Sequence, residues 1–313
     1  MLAFFQTINK IFWGFPLISL LLFTHLFFTV RLHLIQKHTF HAIKLSVRPN
    51  GSKEKGFSPF GALATTLAAT LGTGNIVGIS TAVALGGPGA IFWCWITGVF
   101  GMATSYAECY LSLHFRKTDN EGHFHGGPMY VLEDGLHKKW LATLYALCVI
   151  LASFGVGCTT QSNSMADTLQ YLFNIPTNVT GIVVSVLVGF VLLGGFQSIE
   201  SFCIKLVPFM SILYFTASIL LLLINFKFIL PSITLILHSA LSPDSLRGGL
   251  LGGAIRYGIS RGLFTNEAGL GSAGIAAAAS NNSSKERQAL ISMSATFWDG
   301  MKRYTFSFIY FII

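Results

Sequence analysis

Long apolar runs, separated by short polar and often basic segments, set the pattern of this chain. Phe12 to Val30 is almost uninterrupted, long enough at ~1.5 Å per residue to cross ~30 Å of hydrocarbon. No small-x-small cleavage pattern follows Val30 and the run passes into Arg31-Leu-His, so it reads as an uncleaved first span rather than a signal peptide. Further runs predict spans near Pro59 to Leu85, Ile91 to Leu113, Trp140 to Leu169, Gly181 to Gly195, Ile204 to Phe226 and Leu250 to Ala279. Another begins at Gln288, which makes about eight. Ile229 to Leu241 is too short to cross and carries Pro231, so it reads as a helix lying on or dipping into the outer face.

Charge orients these spans. Between the first two, Arg31, Lys37, Lys44, Arg48, Lys53 and Lys55 stand against Glu54, which makes that loop cytoplasmic by the positive-inside rule. Alternation then puts Arg116, Lys117, Lys138, Lys139, Lys285 and Arg287 inside, the uncharged Phe173 to Thr177 turn outside, and the N-terminus outside.

Two spans interrupt their own hydrophobicity. The second carries Gly72, Thr73, Gly74 and Asn75 near its middle, and a later one carries Gly262, Gly269, Gly271 and Gly274 around Thr265, Asn266 and Glu267. Glycine is ~1 kcal/mol worse than alanine in a helix, and lipid cannot satisfy the backbone groups that unwinding frees. Both segments are therefore expected to unwind and line a polar chamber. They stand five spans apart, second and seventh, an odd step, so they run in opposite directions, the signature of inverted repeats with solute held where half-helix ends meet. Close helix packing is the competing reading of the glycines, but it leaves the polar groups of Asn75, Asn266 and Glu267 unexplained.

Between the breaks, Ser153, Gly157, Gln161, Ser164 and Thr168 recur at helical spacing and should share a face turned toward them. Gln161 offers both donor and acceptor, suited to an amine or carboxylate; an interhelical hydrogen bond is the plainer alternative. Charges at membrane depth are Glu108, Arg256, Arg261 and Glu267. Glu108 reads as structural, Arg256 and Arg261 as snorkelling or gating cations, and Glu267 as a partner for Arg261 or an acceptor for freed amides.

Composition excludes a water-soluble globule: 52% of the 313 residues are hydrophobic and 10% charged, against roughly 25% charged in soluble domains. The net charge of +8 sits in loops rather than on a nucleic-acid-binding face. Cys94, Cys109, Cys148, Cys158 and Cys203 fall in or beside apolar runs, without zinc spacing, and read as buried thiols. A membrane metalloenzyme is the distant alternative, from His114, His123, His125 and His137 with Asp119 and Glu121. These belong to a cytoplasmic loop and form no closed ligand set. With no catalytic constellation and no cofactor motif, the chain reads as a carrier, not an enzyme.

Several segments resemble the sodium:alanine (alanine or glycine:cation) symporter family from about Phe12 to Trp298. They are Ala69-Thr-Leu-Gly-Thr-Gly-Asn-Ile-Val-Gly, Ala84-Leu-Gly-Gly-Pro-Gly-Ala with Trp93, Gly126-Gly-Pro-Met-Tyr, Lys205-Leu-Val-Pro-Phe-Met and Gly262-Leu-Phe-Thr-Asn-Glu-Ala-Gly-Leu-Gly-Ser-Ala. The resemblance implies an all-α polytopic LeuT-type fold in one transmembrane domain, with a leading helix (12–30), a first five-helix repeat (58–226) and a partial second repeat (247–313). It implies sodium-coupled symport of alanine, glycine or a similar small amino acid across the plasma (inner) membrane, with sodium as coupling ion.

By the same resemblance, Gly72, Thr73, Gly74 and Asn75 would meet the substrate carboxylate, Gln161 its polar groups, and Phe264 would close over a short side chain. Thr265, Asn266 and Gly269 complete the expected solute site, and sodium would lie near Gly72 and Asn75. After Asp299, Lys302 and Arg303 depart from the family pattern in what should be the seventh core helix, and the sequence stops before the last three. The expectation is a truncated member, either completed by a second polypeptide or an inactive or regulatory remnant.

Overall fold

A computed structural model describes residues 14–46, 58–70, 72–120, 122–242, 253–281 and 284–312. The helices are α1 (Phe15–Arg31), α2 (Thr39–Ser46), α3 (Pro59–Thr70), α4 (Thr73–Gly86), α5 (Gly89–His114), α6 (Lys139–Ala152), α7 (Thr160–Phe173), α8 (Thr177–Leu193), α9 (Gly195–Ile224), α10 (Ile229–Ala240), α11 (Gly253–Asn266), α12 (Ser272–Ala278) and α13 (Lys285–Ile312). The all-helical expectation needs one amendment: β1 (Lys117–Thr118) and β2 (Phe124–His125) pair antiparallel in the loop after α5.

Polarity is distributed as lipid demands. Fully or nearly buried residues include Thr97, Ser105, Ser112, Gln288, Ser292 and Asp299, while Leu151, Phe154, Leu187, Phe190 and Ile212 point outward. Among the described residues, 89–114, 139–173 and 197–224 are each long and apolar enough to cross a bilayer, and 16–31 with 35–46, bent by 68°, can count as a fourth. Fewer helices pass than the expected eight spans: two spans are cut into half-helices of 7 to 14 residues, α8 has 17 residues, and α13 is not apolar enough over the described residues.

The breaks organise the centre. α3 packs against α12 and α4 against α11, so the two broken helices lie half against half, and α5 packs along both α11 and α12. Small residues permit the approach: a side chain at Gly86 would lie 2.8 Å from the Gly253 carbonyl, and one at Gly258 would meet the Ala90 backbone. Leu63 and Leu67 of α3, Val207 of α9 and Ile291 of α13 form one apolar cluster; Ile18 of α1 packs with Ile255, Ile259 and Leu263 of α11 in another.

Three local expectations change. α13 runs unbroken from Lys285 to Ile312, so Lys302 and Arg303 do not interrupt it; both are good helix formers. Cys148 and Cys158 are exposed, whereas Cys94, Cys109 and Cys203 are buried as expected. Residues 153–159 form a π-helical turn between α6 and α7, which shifts the phase of the polar stripe. Gln161 and Ser164 are consequently half-buried while Ser153 and Thr168 face outward, their hydroxyls bonded to the carbonyls of Ile150 and Ser164. α10, expected at the outer face, lies across the start of α5, where Ser239 Oγ accepts the Gly89 N–H at 3.1 Å.

Candidate functional site

The first break is a short gap. α3 ends at Thr70 and α4 starts at Thr73, so Thr73, Gly74 and Asn75, expected in the unwound segment, form the first helical turn instead. Gly72 is its extended N-cap (φ −77°, ψ −177°) and supplies no side-chain cap. The first amides of a helix lack intrahelical acceptors and carry its positive end, so this turn is a ready place for an anionic group. The side chains of Thr73 and Asn75 lie outside the described set. Gln161 of α7 reaches this point: a side chain at Gly72 would collide with its amide.

The second break spans residues 267–271, and Thr265 and Asn266, expected within it, close the last turn of α11. Glu267 (φ 53°), Gly269 (φ 90°) and Gly271 (φ 94°) all take left-handed backbone, a conformation glycine tolerates and other residues rarely adopt. Thr265 Oγ1 donates to the Arg261 carbonyl at 2.9 Å, and its methyl group would touch a side chain at Gly78 of α4 at 3.2 Å. Asn266 is buried beside Gly101 of α5, and Phe264 is half-buried one residue before Thr265.

The freed groups here have partners. Glu108 Oε2 accepts the Gly269 N–H at 3.0 Å and Oε1 the Gly274 N–H at 3.0 Å. Tyr145 Oη donates to the Leu270 carbonyl at 2.8 Å, and Ser272 Oγ to Glu267 Oε2 at 2.6 Å. Glu267 thus takes neither expected role: Ser272 holds it, and the carboxylate that receives freed amides is Glu108 from α5. Arg261 and Arg256 are half-buried on α11, with the Arg256 guanidinium 5.8 Å from the Tyr257 ring.

The structure therefore brings Gln161 to Gly72, and Thr265 to α4, but seats Asn266 and Gly269 against α5. Sequence reasoning missed the task of Glu108 and all of Tyr145. Their partners are main-chain groups more than 120 positions away, for which no local pattern exists. It also missed His25 of α1, fully buried with Nδ1 2.7 Å from Thr104 Oγ1; a histidine inside the first apolar run was the available signal. A wide, open groove of about 710 Å³ beside α7 and α8, with Thr160, Asn163, Ser164 and Asn178 on its wall, also reaches Val77 of α4.

The loop histidines have a simpler setting. His125 Nε2 and His123 Nδ1 lie 2.9 and 3.4 Å from Asp119 Oδ2, and His114 lies 3.4 Å from Lys285; Glu121 is outside the described residues. Lys117 Nζ donates to Asp134 Oδ2 at 2.9 Å, which holds the lysine above its ordinary range.

Comparison with known proteins matches a family model described as the sodium:alanine symporter family over residues 1–309, so the match continues past Trp298, where the resemblance was expected to end. Among similar proteins, a sodium/alanine symporter, AgcS, from Methanococcus maripaludis is 45% identical across 94% of this chain and 66% of its own length. An uncharacterized transporter from Haemophilus influenzae is 46% identical over the same shares, 94% and 66%. The amino-acid carrier protein AlsT of Bacillus subtilis is 36% identical over 88% of this chain and 59% of its own. The chain thus spans just under two thirds of the length of these relatives. A match along nearly every residue, including both broken helices, has one meaning: the chain belongs to the sodium:alanine symporter family.

Proposed function

We propose that this chain forms the solute-binding part of a secondary active transporter that couples sodium entry to uptake of alanine, glycine or a similar small amino acid. The observation that carries the reading is the pair of broken helices, packed half against half, with Gln161 reaching Gly72 at the start of α4. The second break's amides at Gly269 and Gly274 are taken by Glu108, which leaves the start of α4 as the place for the substrate carboxylate. Gln161 meets the substrate's other polar groups. Phe264 and Thr265 form the opposite wall, backed by Asn266 and Gly269, which sit against α5.

Sodium enters as co-substrate. The last carbonyls of α3 lack helical donors and are hard oxygen ligands suited to it, near Gly72 and Asn75. Coupling needs only that the ion favour the solute-ready arrangement over the other. The architecture that fits is of the LeuT type, with α1 leading, a first repeat from α3 to α9 and a second beginning at α11. The basic loops place the N-terminus outside the plasma membrane. Arg256 and Arg261 serve as gating or structural cations.

The test is uptake of radiolabelled alanine and glycine, driven by an imposed sodium gradient, into vesicles carrying the protein. Accumulation that collapses when potassium replaces sodium is the expected result. Accumulation indifferent to sodium, or none for any small neutral amino acid, overturns the reading.

A further inference from the structure

Glu108 stands apart from the other charges of the bundle because both its oxygens are engaged by main chain. Gly269 and Gly274 donate to different oxygens, each at 3.0 Å, so one side chain ties the middle of the break to the first turn of α12. The three left-handed residues between are backbone that persists only where its surroundings over-determine it. Those surroundings are close. A side chain at Gly274 would press on Glu108 Cγ at 3.3 Å and on Ser112, and one at Gly271 would strike the Tyr145 hydroxyl. Tyr145 adds the complementary contact as donor to the Leu270 carbonyl.

We propose that Glu108 is a positioning residue for the solute site: its carboxylate, held on α5, clamps the 267–271 break to the first turn of α12 and so fixes where Phe264 and Thr265 stand against α4. Its functional half rests on the transport reading; its geometric half does not. Two donors aimed at two separate oxygens require that both oxygens accept. A carboxamide offers one acceptor and one donor, so Glu108→Gln keeps the shape and must release one of the two amides. The released segment samples other conformations, and apparent affinity falls by the fraction of molecules still competent.

Hydrogen exchange on the whole 313-residue chain in nanodiscs reads the clamp directly. In Glu108→Gln, amides in the 269–274 peptide are expected to exchange about 10-fold faster, as loss of one charge-assisted hydrogen bond allows, while α5 and the 253–262 part of α11 keep their protection. In uptake, the half-saturating alanine concentration rises about 10-fold with the maximal rate within about 2-fold. Unchanged exchange at 269–274 overturns the proposal, as does faster exchange spread evenly through α5 and α11, which would mark a general packing role. Should Glu108→Gln fail to insert, Glu108→Asp, which keeps the charge but withdraws it by one methylene, is judged by the same outcomes. The localised exchange change in a protein without sodium-driven uptake would support the clamp and count against the transport reading.

Discussion

The two breaks in this bundle interrupt helices in opposite ways. The first, at Gly72, is narrow: α4 resumes directly after this extended residue, and the flexible amide of Gln161 lies against it. The second, at 267–271, is longer, runs through left-handed backbone, and is fastened by Glu108, Tyr145 and Ser272. Unsatisfied main chain at membrane depth is costly, so the fastened break is a fixed part of the bundle, and the proposed solute site falls at the other.

Substitutions can break this contrast. Gly271→Val should have the largest effect, because it forces a branched residue into φ 94° against Tyr145 and Pro128. Strain and overpacking together amount to about 3 kcal/mol or more, visible as a sharp loss of folded protein in detergent melts; a melt like the parent's would show the second break to be loose. Gly72→Ala meets only the end of a movable glutamine, so stability should change by less than about 1 kcal/mol. Uptake should still fall about 10-fold or more, since small misplacements at a binding site are expensive. Unchanged uptake would remove the first break from the site.

Glu200→Ala probes the anchor of the first broken helix. Glu200 Oε1 accepts both the N–H and the hydroxyl of Ser58 at 2.8 Å, just ahead of α3. Its loss should cost about 1 to 2 kcal/mol in melting, the range of a lost helix cap, and leave exchange at 269–274 unaltered. Tyr145→Phe removes one donor from the second break and should cost about 1 kcal/mol. Faster exchange should appear around Leu270 and not at Gly72; the reverse pattern would invert the comparison.

The sequence announced these breaks through residue type, because glycine beside threonine and asparagine inside an apolar run contradicts both helix propensity and lipid solvation. It placed each within a few residues, although Thr73 to Asn75 and Thr265 to Asn266 proved helical: α4 resumes directly after the extended Gly72, and α11 holds until Glu267 turns left-handed. The apolar runs predicted α1, α5 and α10 closely. What stayed hidden had no periodic trace. The π-helical turn at 153–159 changes phase without changing composition, the 117–125 hairpin pairs two residues on each side, and Glu108 looks like any isolated acid until distant peptides fold onto it.

Because α3 leans on α12 and α4 on α11, the bundle centre is divided into two leaves, and each broken helix gives one segment to each leaf. Tilting one leaf against the other then requires no new melting of secondary structure: the strain falls on Gly72 and on residues 267–271, already outside helical geometry. Stiffness in the segments and compliance in the gaps let this architecture move at its middle while each leaf keeps its shape.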